Sequence, residues 1–99
     1  MSEGYIYILS NPTFKELYKV GKTSRDPYER AEELSSATGI PTPFKVEYCI
    51  YVSDCDDMEE KIHDLLEKRG FRVSENREFF KASIKQIKRV IFKVKKLIP

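Results

Sequence analysis

Residues 5–23, YIYILSNPTFKELYKVGKT, hold three tyrosines, three lysines and one glycine. Tyr5–Leu9 and Leu17–Lys22 are rich in β-branched and aromatic residues and are separated by Asn11 and Pro12, which reads as a β-hairpin. Setting Tyr7 opposite Lys19 places Tyr5 opposite Gly21, Ile6 opposite Val20, Ile8 opposite Tyr18 and Leu9 opposite Leu17. One face then carries Ile6, Ile8, Tyr18 and Val20, an ordinary core face; the other presents Tyr5, Tyr7 and Lys19 beside Gly21. Polar aromatics and a lysine on one surface are suited to chemistry more than to packing, and a glycine leaves room for backbone or ligand to approach. A cation about 4 Å from a phenolate is worth at most roughly 4 kcal/mol, about three pKa units, so Lys19 is expected to bring Tyr7 toward neutral pH as a proton acceptor.

The remaining elements must hold that face in place. In DPYERAEELSSATG, Asp26 is the expected N-cap, Pro27 the first helical residue and Glu29 the third position of a capping box, with Gly39 closing the helix. From Phe44 to Val52, the residues Phe44, Val46, Tyr48, Ile50 and Val52 alternate with Lys45, Glu47, Cys49 and Tyr51, the period of a half-buried strand. DCDDMEEKIHDLLEKRG carries a cap at Asp54, an apolar stripe of Met58, Ile62, Leu65 and Leu66, and a stop at Gly70. After a stretch with Phe71, Val73, Asn76 and EFF, the spacing of Ile84, Ile87, Ile91, Val94 and Ile98 predicts a basic amphipathic helix over about 82–98. The expectation is one α+β domain over 1–99: a small three-stranded, mainly antiparallel sheet flanked by helices, in the order β-β-α-β-α-α.

Composition narrows the class. With 99 residues, 40% hydrophobic and 34% charged, the chain can build one modest core, and its longest apolar runs are strand-sized, so no membrane contact is expected. Met1–Gly4 show no secretory pattern, and two cysteines, Cys49 and Cys55, are too few for a disulfide scaffold, so a cytoplasmic, reduced setting is expected. Cys49, Cys55 and His63 fit no zinc spacing. Charge is uneven: residues 81–99 hold seven basic residues and no acid, whereas residues 1–80 hold eleven basic residues against 16 acids. That asymmetry suits an anionic partner, and equally suits a helix dipole.

The hairpin triplets Tyr5-Ile6-Tyr7 and Lys19-Val20-Gly21, with YKVGKT, MEEKIH and REFF, resemble the GIY-YIG nuclease superfamily over roughly residues 4–82, in a compact phage and bacterial form. Tyr5 stands where the superfamily has its first glycine, and Lys19 where it has its second tyrosine. The resemblance implies a divalent-metal-dependent endonuclease with Tyr7, Lys19, Arg30, Glu59 and His63 in the catalytic set and Gly21 shaping the site. It implies Glu59 as the ligand of Mg²⁺ (or Mn²⁺), a metal that takes few protein carboxylates and keeps several waters. Hydrolysis needs a metal for the developing charge, a base for water and a cation for the phosphate oxygens; Arg30, in the first turn of its helix, offers a planar multi-donor cation. The same residues have plainer roles: Arg30 as partner of Glu33 or Glu29, Glu59 as a solvated helix residue, and His63 as either a proton carrier or a positioning group.

So short a chain leaves little protein to read base edges, so low sequence specificity is expected. Lys22, Lys85 and Lys88 are candidates for tracking a phosphate backbone, and Tyr5 and Tyr51 for stacking on unpaired bases. DNA is favoured over RNA, single-stranded or branched. Two other functions fit: a nucleic-acid-binding module that does not cut, and a protein-interaction domain whose last helix docks on a partner or a second copy in a homodimer or larger complex.

Overall fold

A computed structural model describes residues 2–36, 39, 41–73 and 78–97. Their elements run β1 (Gly4–Ser10), β2 (Tyr18–Thr23), α1 (Pro27–Ser35), β3 (Lys45–Val52), α2 (Cys55–Lys68), β4 (Phe79–Phe80) and α3 (Ile84–Leu97). The sheet has four antiparallel strands in the order β3-β1-β2-β4, which corrects the expectation of three strands and of the order β-β-α-β-α-α. The extra strand is two residues long, pairing Tyr18 with Phe80 and Lys19 with Phe79. Two residues carry no period to detect, and EFF reads simply as core; both phenylalanines are indeed buried.

The hairpin forms, but two residues out of the expected register. Tyr7 pairs with Gly21, Ile8 with Val20 and Leu9 with Lys19. A slip of two residues keeps every side chain on its face, so apolar alternation cannot tell the two registers apart. The connection between the two strands is held by bonds of its own. Asn11 is buried; its Nδ2 donates to the Thr42 carbonyl at 2.8 Å, and its Oδ1 accepts from the Thr13 N–H at 2.9 Å and from the Thr42 hydroxyl. Glu16 turns the chain with φ 65°.

β3 also departs from strict alternation. Its pairing with β1 shifts between Ile8–Tyr48 and Leu9–Val46, a bulge that leaves Glu47 as the extra residue. Tyr48, Ile50 and Val52 therefore join the core under α2 and α3, while Phe44 and Val46 fall on the opposite face with Leu34, Cys49, Tyr7, Leu9 and Ala31. The architecture is three layers: α1 on one face, the sheet, and α2 with α3 on the other.

Caps explain the helix starts. Asp26 Oδ1 accepts the Tyr28 N–H at 2.9 Å with Pro27 at the first position, and Asp54 Oδ1 accepts the Asp57 N–H at 3.2 Å. α1 stops at Ser35, short of Gly39, as the Ser35 and Ser36 hydroxyls donate to carbonyls four residues back. Ser83 and Gln86 form a reciprocal capping box that starts α3. Of the predicted stripe, Ile87, Ile91 and Val94 are buried, joined by Val90, and Ile98 lies outside the described residues, as does Asn76. No helix among the described residues is long and apolar enough to cross a membrane.

Asn11→Ala strands the Thr13 and Thr42 groups and is expected to cost about 1–3 kcal/mol, lowering Tm by roughly 5–15 °C. Thermal unfolding followed by circular dichroism checks this; an unchanged Tm would mean that these bonds do not hold the connection in place.

Candidate functional site

Gly21 and Tyr7 explain each other. A Cβ on Gly21 would lie 2.6 Å from the Tyr7 hydroxyl oxygen and 2.8 Å from Cζ, so the tyrosine ring occupies the space the glycine leaves. The gap expected to admit a ligand is thus filled by the cross-strand partner, and it fixes where the phenol points. Tyr7 is 2% exposed. Burial pushes its pKa above the ordinary tyrosine value; the Arg30 guanidinium alongside opposes that, and the charges of Glu78 and Glu59 reinforce it.

Lys19 does not take the role expected of it beside Tyr7. The residue is buried; its ammonium is held by the Glu78 carboxylate and lies 5.7 Å from the centre of the Phe79 ring. β4 brings Glu78 there: the Glu78 carbonyl accepts the Val20 N–H at 3.0 Å. Lysine and glutamate are 59 positions apart, so no local pattern announces the pair.

The other half of the site comes from α2. His63 Nε2 donates to the Val20 carbonyl at 2.7 Å, and its ring lies 5.1 Å from that of Phe80. A carbonyl only accepts, so Nε2 carries the proton and His63 positions α2 against β2. Glu59, four residues earlier on α2, is largely buried, and burial pushes its carboxyl above the usual range against the pull of His63 and Lys22. Lys22 links the halves. Its Nζ is 3.9 Å from Glu59 Oε1, it pairs with Asp56, and with Arg25, Arg30 and Ser24 it lines a cleft of about 380 Å³.

These placements meet at one spot. β4 pairs with Tyr18 and Lys19 on the outer edge of β2, and His63 Nε2 meets the Val20 carbonyl next along it. Tyr7 and Arg30 reach that edge from the α1 face, and Glu59, His63 and Lys22 from the α2 face. Arg30 also has the partner foreseen for it, donating to Glu33 Oε1 at 3.3 Å. Arg25, which sequence reasoning passed over, joins the cleft because Thr23 and Asp26 shape the turn from β2 into α1.

The remaining candidates lie elsewhere. Lys88 sits 4.7 Å from the Tyr48 ring centre, at the β3 edge of the sheet and across it from the cleft, and Lys85 is exposed on the same helix. Tyr5 and Tyr51 form an edge-to-face pair at 5.6 Å, with Tyr51 exposed.

The described residues contain no group of three or more His, Cys, Asp or Glu side chains arranged to hold a metal. Glu59 is a single carboxylate desolvated by burial, a donor that suits Mg²⁺ or Mn²⁺ keeping most of its waters and does not suit zinc.

The fold and the edge site together define an α+β domain of a recognised class. Residues 4–95 match the T5orf172 domain, and the chain belongs to that family, one found in nuclease-like proteins of phages and bacteria. No curated protein and no solved structure matches the chain significantly.

Two predictions follow from the geometry. Gly21→Ala is expected to cost about 1–3 kcal/mol by overpacking and to change the tyrosine near-ultraviolet dichroism; an unaltered Tm and spectrum would mean the Tyr7 ring lies elsewhere. The raised Glu59 carboxyl favours folding when protonated, so the metal-free protein loses stability as pH rises from the unfolded pKa, about 4.3, through the folded value. Glu59→Gln is therefore expected to raise Tm by roughly 2–6 °C at neutral pH and by nothing below about pH 4. A gain at every pH, or a loss at neutral pH, would contradict this.

Proposed function

We propose that the chain is a compact GIY-YIG-like nuclease domain spanning residues 1–99, a divalent-metal-dependent endonuclease that hydrolyses phosphodiester bonds with low sequence specificity. The observation that carries this reading is the approach of Tyr7 with Arg30 and of Glu59 with His63 to the same strand, β2.

Water attacks phosphorus as the bond to the leaving oxygen breaks, and the water's proton goes to Tyr7. Tyr7 is suited to that role once ionised, with Arg30 at its side favouring the phenolate. Arg30 is half exposed, so it can also reach the non-bridging oxygens of a phosphate. Glu59 would hold a Mg²⁺ or Mn²⁺, which supplies charge to stabilise the phosphate and the departing oxygen. His63 fixes α2, and so Glu59, against β2. Lys19, locked to Glu78, keeps β4 docked beside the site rather than acting on water. DNA is favoured over RNA, unpaired or branched, in a cytoplasmic setting where the two free cysteines stay reduced.

The test is cleavage of labelled single-stranded and duplex DNA with Mg²⁺ or Mn²⁺. Glu59→Ala is expected to abolish metal-dependent cutting while DNA binding persists. Tyr7→Phe is expected to cut the rate by about 10²–10⁴-fold and to flatten its rise with pH. Full cleavage by Tyr7→Phe would remove the tyrosine from proton transfer. DNA binding without cutting, unaffected by metal or by Glu59→Ala, would leave a non-catalytic nucleic-acid-binding module as the better account.

A further inference from the structure

Glu33, on the exposed side of α1, is gripped by two arginines. Arg25 Nη2 donates to both of its oxygens at 2.8 Å, and Arg30 Nη1 donates to Oε1 at 3.3 Å. One carboxylate thus bridges two guanidinium groups, and both arginines, with Lys22, line the same cleft. A carboxylate and a phosphodiester offer a guanidinium the same thing, two anionic oxygens in a plane that match its fork. Exposed pairs of this kind exchange readily, because neither partner gives up much hydration.

The backbone holds Arg25 where it stands. Its N–H donates to the buried hydroxyl of Thr23 at 3.1 Å, and Asp26 caps α1 immediately after it. The guanidinium is therefore carried by a fixed turn between β2 and α1, adjacent to the end of the strand that carries Gly21.

We propose that Arg25 and Lys22 form a seat for a second phosphate of a nucleic-acid strand, next to the one Arg30 serves, and that Glu33 occupies this seat in the free protein. This rests on the nucleic-acid reading of the edge site. The strand's phosphodiester displaces the Glu33 carboxylate, so Arg25 and Arg30 exchange an internal anion for an external one. Lys22, already paired with Asp56, closes the opposite wall of the cleft.

The experiment is fluorescence anisotropy of a labelled single-stranded DNA oligonucleotide with the full chain, without divalent metal, over a series of salt concentrations. Arg25→Ala is expected to weaken binding about 3–10-fold at low salt and to reduce the slope of log K against log salt by about 0.7. Glu33→Gln is expected to tighten binding about 2–5-fold, and that gain is expected to vanish when Arg25 is also alanine. Glu32→Gln, the same charge change on the same helix, controls for net charge. Both Arg25 and Glu33 are exposed, so the variants keep the fold.

An Arg25→Ala variant with unchanged affinity and slope overturns the seat, as does a Glu33→Gln gain that survives without Arg25 or is matched by Glu32→Gln. Arg25-dependent binding of inorganic phosphate with no binding of DNA also overturns it, by assigning the cleft to a small anion. If Glu59 proves essential for cutting while Arg25→Ala is silent in binding, the nuclease reading stands and the seat falls. If Arg25-dependent binding is found without cutting, the seat stands and the nuclease reading falls.

Discussion

The site depends on the bond that seats α2 against β2. β4 pairs with Tyr18 and Lys19, and the Glu78 carbonyl takes the N–H of Val20. The Val20 carbonyl accepts from His63 Nε2. That hydrogen bond satisfies a backbone acceptor and fixes α2 on the strand at the same time. Four residues earlier on α2, Glu59 then lies 3.9 Å from Lys22 of the same strand.

The electrostatics follow from that geometry. Tyr7 and Glu59 are each pushed by burial toward their neutral forms, and the charge of Glu59 pushes Tyr7 further that way. The cations that would relieve them are committed: Lys19 to Glu78, Lys22 to Asp56, and Arg30 in part to Glu33. A carboxylate desolvated by burial is poorly placed for stability and well placed to attract a hydrated dication. The cleft beside it is in a different state, with arginines already filled by an internal carboxylate, Glu33, whose pKa Arg25 and Arg30 pull below the usual range. One half of the site holds a desolvated carboxylate and the other a replaceable anion, which is the condition a metal and a phosphate would jointly resolve.

Much of this was legible in the sequence because local rules governed it. Asp26-Pro27, Asp54 and Gly70 mark helix ends through backbone hydrogen bonding within a few residues, and the spacing of Ile87, Ile91 and Val94 follows one helical face. The two faces of the hairpin were legible as well, since alternation fixes which side chains share a side. Its register was not, because a two-residue slip preserves that alternation. β4 escaped for want of length, the bulge at Glu47 for want of any glycine to mark it, and the Lys19–Glu78 pair because only the folded sheet brings it together. For the site, Tyr7, Arg30, Glu59 and His63 came from a family resemblance, and the fold gathers them. Arg25 carried no such signal, and its placement comes from a turn that the hydroxyl of Thr23 shapes.

The account's central claim is that one site at β2, centred on the desolvated Glu59 carboxylate, joins the two faces of the sheet. Titration of the isotope-labelled chain with paramagnetic Mn²⁺, followed by the broadening of backbone amide signals, tests it most directly. The predicted result is early broadening of Gly21 and Lys22 together with Glu59 to His63, lost in Glu59→Gln. Broadening that starts instead along the acidic α1 surface of Glu29, Glu32 and Glu33, and is indifferent to Glu59, would contradict it.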